Sequence, residues 1–168
     1  MRFYEKAFIV PTMKTLFAAL TLVLSSTLAL AQHWHTDYEE AARRARRENK
    51  RLLIDFTGSD WCRWCIKLDR EVFSTPRFKQ YADHNLVLLK VDFPRRRPLP
   101  PPLRRQNEAL ARQYRITEYP TIVVQSPNGR PLQRFGYVPG GANAFIRKLE
   151  ESAHHGPHRP PLRPGYRR

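Results

Sequence analysis

Both cysteines of this chain lie in one five-residue block, Trp61-Cys62-Arg63-Trp64-Cys65, directly behind the apolar run Leu52-Leu53-Ile54-Asp55-Phe56. The apolar run reads as a buried strand, Gly58-Ser59-Asp60 turns the chain, and Cys62 to Phe73 reads as a helix. Cys62 then falls at the helix start, where free N–H groups and the helix dipole favour a thiolate. Cys65 follows on the same face, one turn deeper. Such a pair can close a small ring, with one thiolate attacking a disulfide and the second resolving the mixed disulfide. Competing readings fit less well. Haem attachment needs His after the second cysteine, and Ile66 stands there. A structural zinc site needs about four ligands, and no second pair exists. A disulfide that only staples one turn removes little unfolded-chain entropy.

The flanking segments alternate between helix and strand. Thr36 or Asp37 can cap a helix from about Tyr38 to Glu48, whose outer face carries Arg43, Arg44, Arg46 and Arg47. Ser74-Thr75-Pro76 is a helix start, leading to about Asp83. Leu86 to Asp92 is a nearly unbroken apolar run and reads as a buried parallel strand. Residues 94–102 hold Arg95-Arg96-Arg97 and then Pro100-Pro101-Pro102. They predict an extended, polyproline-type insertion, either a stiff surface loop or a partner-docking arm. A helix from Leu103 to Arg115 follows, then a strand at Thr121-Ile122-Val123-Val124. Ser126-Pro127-Asn128-Gly129 turns it into an antiparallel strand from Pro131 to Tyr137. A helix from Ala142 to about Ser152 closes the domain, which is expected to occupy residues 32–153. The Pro/His/Arg-rich segment 154–168 is expected to be a disordered tail. The expected fold class is α/β, a mixed four-stranded sheet with helices on both faces.

These marks together resemble the thioredoxin superfamily, in particular its secreted bacterial members. The block Leu53 to Cys65 is similar to the strand, turn and active site of that family. Asp55 matches its buried acid, with one extra residue before the motif, and Lys90 matches the lysine near that acid. Tyr119-Pro120-Thr121 matches the segment holding a cis-proline, Asn128-Gly129 the hairpin turn, and Gly140-Gly141 the approach to the last helix. The resemblance covers about residues 37 to 152 and implies a sheet order of 2-1-3-4. It departs at the dipeptide between the cysteines, which is Arg-Trp where common thioredoxins have Gly-Pro. That leaves open whether the protein reduces, isomerises or oxidises.

In this reading Cys62 is the nucleophile and Cys65 the resolving thiol. Arg63 supports the Cys62 thiolate by charge while Asp60 opposes it. Asp55 is either a proton relay for Cys65 or a structural acid paired with Lys90. Trp61 and Trp64 form a substrate platform or simply pack. Tyr119 borders the groove, and Pro120 leaves backbone beside the sulfurs free to pair with an extended substrate. The two cysteines carry the electrons, so no bound organic cofactor and no metal are expected. The histidines of the tail would bind a metal only weakly and incidentally.

Residues 1–31 carry Lys14, an apolar core from Leu16 to Leu24 and small residues at Ala29 and Ala31, the pattern of a secretory signal peptide. Met13 would make a more usual start. The apolar stretch is broken by Thr21, Ser25, Ser26 and Thr27 and is short against the ~20 residues of a membrane span. The expected location is therefore the bacterial periplasm or beyond, with no stable membrane insertion after cleavage. An exported chain with one cysteine pair suits an oxidising compartment. The formal charge of +15 would suit nucleic acid, but export argues against that partner. The expected partners are cysteine-containing exported proteins and a membrane electron donor. Two rival functions use the same features: copper handling or metal delivery through Cys62 and Cys65, and a non-catalytic binding module with an idle disulfide.

Overall fold

The computed structural model describes residues 33–154. The expected signal peptide, and the expected tail beyond His154, lie outside the described residues.

The elements run β1 (Trp34–His35), α1 (Tyr38–Glu48), β2 (Arg51–Thr57), α2 (Arg63–Leu68), a π-helical turn (Asp69–Phe73) and α3 (Pro76–Asn85). Then come β3 (Leu86–Asp92), α4 (Pro101–Gln113), β4 (Thr121–Gln125), β5 (Pro131–Phe135) and α5 (Gly141–His154). The sheet has five strands in the order β1-β3-β2-β4-β5. β1, β3 and β2 are parallel, while β4 and β5 are antiparallel to their neighbours.

The expected four strands are therefore present in their expected order, and the count of four is corrected to five by the edge strand β1. Two residues are too short to show any alternation, so no sequence period marks it. Its Trp34 packs edge-on against Phe73 at 5.0 Å, and pairing with β3 covers a row of backbone groups.

Local chemistry sets the helix ends. Asp37 caps α1 by accepting from the Glu40 N–H at 2.7 Å, and Asn49 ends it in the left-handed conformation. Thr75 caps α3, with Pro76 at its first position. The polyproline insertion is shorter than expected, because Pro101 and Pro102 are the first two residues of α4. The first-turn N–H groups of a helix have no intrahelical partner, so prolines there lose nothing, and Pro100 already has a fixed extended backbone. The hairpin between β4 and β5 is closed by the Gly129 N–H donating to the Ser126 carbonyl, with Gly129 at φ +81°. β5 ends at Phe135, two residues earlier than expected, and α5 reaches His154.

Strand period two divides the core into two. Leu52, Ile54 and Phe56 face one way, against Ala41, Ala45, Val87, Leu89 and Leu110. Leu53 faces the other way, against Leu68, Val72, Phe78, Phe145 and Leu149. Asp55 shares the parity of Leu53, so it lies on the face covered by α2, the π-helical turn and α5. No described helix is long and apolar enough to cross a membrane.

Candidate active site

The site forms where β2 runs out and α2 begins. The Trp61 and Cys62 N–H groups both donate to the Gly58 carbonyl, at 3.3 and 2.9 Å, which folds the turn. A Cβ on Gly58 would meet the Trp61 indole at 2.5 Å, so only glycine lets the ring close over the turn. Cys62 is then the N-cap of α2, and its Sγ accepts from the Cys65 N–H at 3.2 Å. Hydrogen bonding of this kind favours the anionic sulfur.

Cys62 and Cys65 are joined as a disulfide, their Cα atoms 5.2 Å apart. Their exposures differ little, at 6% and 4%. What separates them is direction: Cys62 sits at the cap, while Cys65 is one of the two buried residues of α2, with Leu68.

Asp55 is buried below this helix, and among the described residues its Oδ1 has no hydrogen-bond partner. Burial pushes its carboxyl up to about 7; Lys90 opposes the shift, and Asp69 and Asp92 add to it. Lys90 is the register partner of Asp55 across β2 and β3. Its ammonium lies 5.4 Å over the Trp34 ring, however, and among the described residues no ion pair joins it to Asp55. The paired-acid reading of Asp55 is corrected accordingly. A direct pair would have consumed the carboxylate; here the cation acts only through space.

Two walls of side chains are built on the residues next to the cysteines in the chain, Trp64 and Trp61. On one, Trp64 and Ile66 are the exposed large apolar residues of the described chain, at 52% and 49%. Trp64 stacks on Tyr137 at 5.1 Å, and the Lys67 ammonium lies over both rings. The Tyr137 hydroxyl donates to Glu71 Oε2 at 2.6 Å, tying this wall to the π-helical turn. On the other wall, Trp61 donates its indole N–H to the Phe93 carbonyl at 2.7 Å and meets Tyr119 edge-on at 5.7 Å. The Arg95 guanidinium covers the Trp61 ring at 3.8 Å. The Tyr119–Pro120 peptide bond is cis, and Pro120 is buried.

The fold thus brings Cys62, Cys65, Trp61, Trp64, Tyr119 and Asp55 to one end of the sheet, with Lys90 to one side. Arg63 is exposed at the first position of α2. Asp60, expected to oppose the thiolate by its charge, accepts from the Arg95 and Arg96 N–H groups at 2.9 and 2.7 Å, which hold its carboxyl below the usual range and so favour its charged form. Tyr137, Lys67, Phe93 and Arg95 were not expected at the site. Lys67 belongs to α2 itself, while Tyr137, Phe93 and Arg95 come from distant segments and carry no local mark in the sequence. Among the described residues no group of three or more His, Cys, Asp or Glu side chains is placed to hold a metal ion.

Comparison with known proteins agrees with this arrangement. The sequence model of the Thioredoxin-like family matches residues 33–127, more than half of the chain. The disulfide bond reductase DsbH of Chlamydia pneumoniae is 34% identical over 125 residues, which cover 74% of this chain and 75% of that protein. The thioredoxin-related protein DsbJ of the same organism is 33% identical over 135 residues, but the match spans only 39% of its length. A solved structure of a DsbH oxidoreductase superposes with a TM-score of 0.68 at 35% identity, covering 71% of this chain and 83% of that one. A thioredoxin from Thermus thermophilus shares the fold at 19% identity, with a TM-score of 0.56. This chain belongs to the thioredoxin-like family and is a thiol–disulfide oxidoreductase.

Proposed function

We propose that the protein works in the bacterial periplasm, reducing or isomerising disulfides of exported proteins through Cys62 and Cys65. One observation carries the reading: a disulfide closed within a single capped turn, at the end of a strand whose buried Asp55 carboxyl is pushed up to about 7 by burial. The name of the 34% identical relative, a disulfide bond reductase, supports reduction as the direction.

The cycle starts from the dithiol. The Cys62 thiolate attacks one sulfur of a substrate disulfide; the new S–S bond forms as the old one breaks, and one substrate thiolate leaves. Asp55 takes the proton of the Cys65 thiol. The Cys65 sulfur then attacks Cys62 Sγ, closing the Cys62–Cys65 disulfide and releasing the second substrate thiolate. The substrate gains two electrons and the protein loses two. A membrane dithiol partner returns them, so the exchange itself calls for no organic cofactor and no metal. Trp64, Trp61, Tyr119 and Pro120 seat the polypeptide around the sulfurs, with Arg63 supporting the thiolate by charge. Residues 1–31 direct export and are removed, and the tail 154–168 takes no part in exchange.

Trapping tests the roles. In Cys65→Ser, Cys62 is expected to hold a stable mixed disulfide with substrate, whereas Cys62→Ser is expected to hold none. Trapping by Cys62→Ser alone would reverse the assignment, and trapping by neither would remove the reading.

A further inference from the structure

The arginine loop is fastened to the active-site turn on both sides. Both Asp60 carboxylate oxygens accept loop N–H groups, from Arg95 and Arg96. Both Asp92 carboxylate oxygens accept from Ser59, one from its N–H at 2.9 Å and one from its hydroxyl at 2.6 Å. Trp61 binds the loop at the Phe93 carbonyl and under the Arg95 guanidinium. A cleft of about 410 Å³ opens here, lined by Ser59, Asp60, Asp92, Arg96 and Arg97 among others. Its two acids are committed to the hydrogen bonds just named. The side chains of Arg95, Arg96 and Arg97 are exposed, and none of the ion pairs among the described residues includes them. Beyond that backbone bond, the charge of Arg96 acts on Asp60 through space.

Three guanidinium groups outside any ion pair among the described residues therefore stand on the loop fastened to Trp61, the residue before Cys62. The backbone beneath them is already fixed, so binding has only the side chains left to order. Guanidinium forks match carboxylates. The Trp64 wall exposes large apolar surface, with one cation, Lys67, over its rings, so it and the arginine loop make different demands on a substrate.

We propose that loop 94–100 is a fixed cationic rim selecting polypeptide disulfides that have Asp or Glu beside one cysteine, through Arg96 and Arg97 in the cleft and Arg95 on Trp61. This rests on the exchange reading given above and adds a substrate class to it. An acidic neighbour raises the encounter rate and orients the substrate sulfur toward Cys62, and salt screens the effect.

The test uses the full chain, reduced beforehand, and three synthetic peptides that share one internal disulfide. The residues beside one cysteine are Glu, Gln or Lys. Second-order rate constants come from acid quenching and thiol labelling. The wild type is expected to prefer the Glu peptide over the Gln peptide about tenfold at low salt, falling to about twofold near 0.5 M salt. Arg95→Gln, Arg96→Gln and Arg97→Gln together should abolish the preference. Arg96→Glu with Arg97→Glu should invert it toward the Lys peptide, a change that misfolding would not produce. These side chains are exposed, and the backbone N–H groups that hold Asp60 survive either substitution. Equal wild-type rates for Glu and Gln peptides, or a preference retained in the Gln variant, would overturn the rim alone. A reduced wild type that exchanges with none of the peptides would overturn the exchange reading and the rim together.

Discussion

The two faces of β2 are built from the same strand and do different work. On one, Leu52, Ile54 and Phe56 are fully or nearly fully buried and pack with apolar side chains of α1, β3 and α4, with the buried Gln125 opposite Leu52 on β4. On the other, Leu53 continues the core but the next position is Asp55, buried under α2 with an unpartnered oxygen. The first face is filled for stability. The second gives up one core position to a carboxyl, which burial holds neutral up to about pH 7. The difference teaches where β2 leaves a carboxyl in the core: at one position, on the face that α2 covers, and at none on the other.

Removing bulk from the apolar face should have the largest effect. Phe56→Ala is expected to cost about 3–5 kcal/mol in denaturant unfolding, because a fully buried ring leaves a cavity. A loss under ~1 kcal/mol would show that this face is not the stabilising one.

The Asp55 face should respond with the opposite sign. The folded-state value is raised, so below about pH 4 both states are protonated and Asp55 contributes nothing. As pH rises toward 7 the unfolded chain ionises while the folded one holds its proton, and stability falls. The full cost is reached above pH 7 and amounts to at most about 4 kcal/mol. Asp55→Asn should therefore be more stable than wild type at pH 8 and equal to it near pH 3. Equal unfolding free energies at both pH values would show the carboxyl to be unstrained.

Smaller effects sharpen the contrast. Asp37→Ala removes the cap of α1 on the apolar face and should cost about 1 kcal/mol while leaving disulfide exchange unchanged. Trp64→Ala removes an exposed ring on the site side. It should shift stability by less than ~0.5 kcal/mol yet slow exchange with a polypeptide more than with a small disulfide. Equal slowing of both would remove Trp64 from the substrate platform.

Much of this contrast is visible in the residues themselves. The run Leu52 to Phe56 interrupted by a single acid, the cysteine pair behind it, and Tyr119-Pro120 before the next strand all place the site. Asn128-Gly129 marks the hairpin because its turn needs a residue at positive φ. What stays hidden is nonlocal or too short. β1 is two residues long and owes its existence to β3. Pro101 and Pro102 look like helix breakers until their place at the helix start is known. The fastening of Asp60 to Arg95 and Arg96 joins segments 35 and 36 residues apart, and the Trp64–Tyr137 stack joins β5's far end to α2. The charge of Asp60 beside Cys62 is plain in the sequence, while its second part, holding the arginine loop by two backbone N–H groups, appears only in the fold.

The central claim is that β2 gives up stability at Asp55 to move a proton at Cys65. Its most direct test is the pH dependence of the resolving step. A preformed mixed disulfide at Cys62 would be followed by rapid mixing in wild type and in Asp55→Asn. The account predicts a wild-type rate that rises through an inflection near pH 7, and an Asn variant that is slower and lacks this inflection. The same pH profile in both proteins would contradict it, leaving Asp55 a buried acid without a part in the exchange.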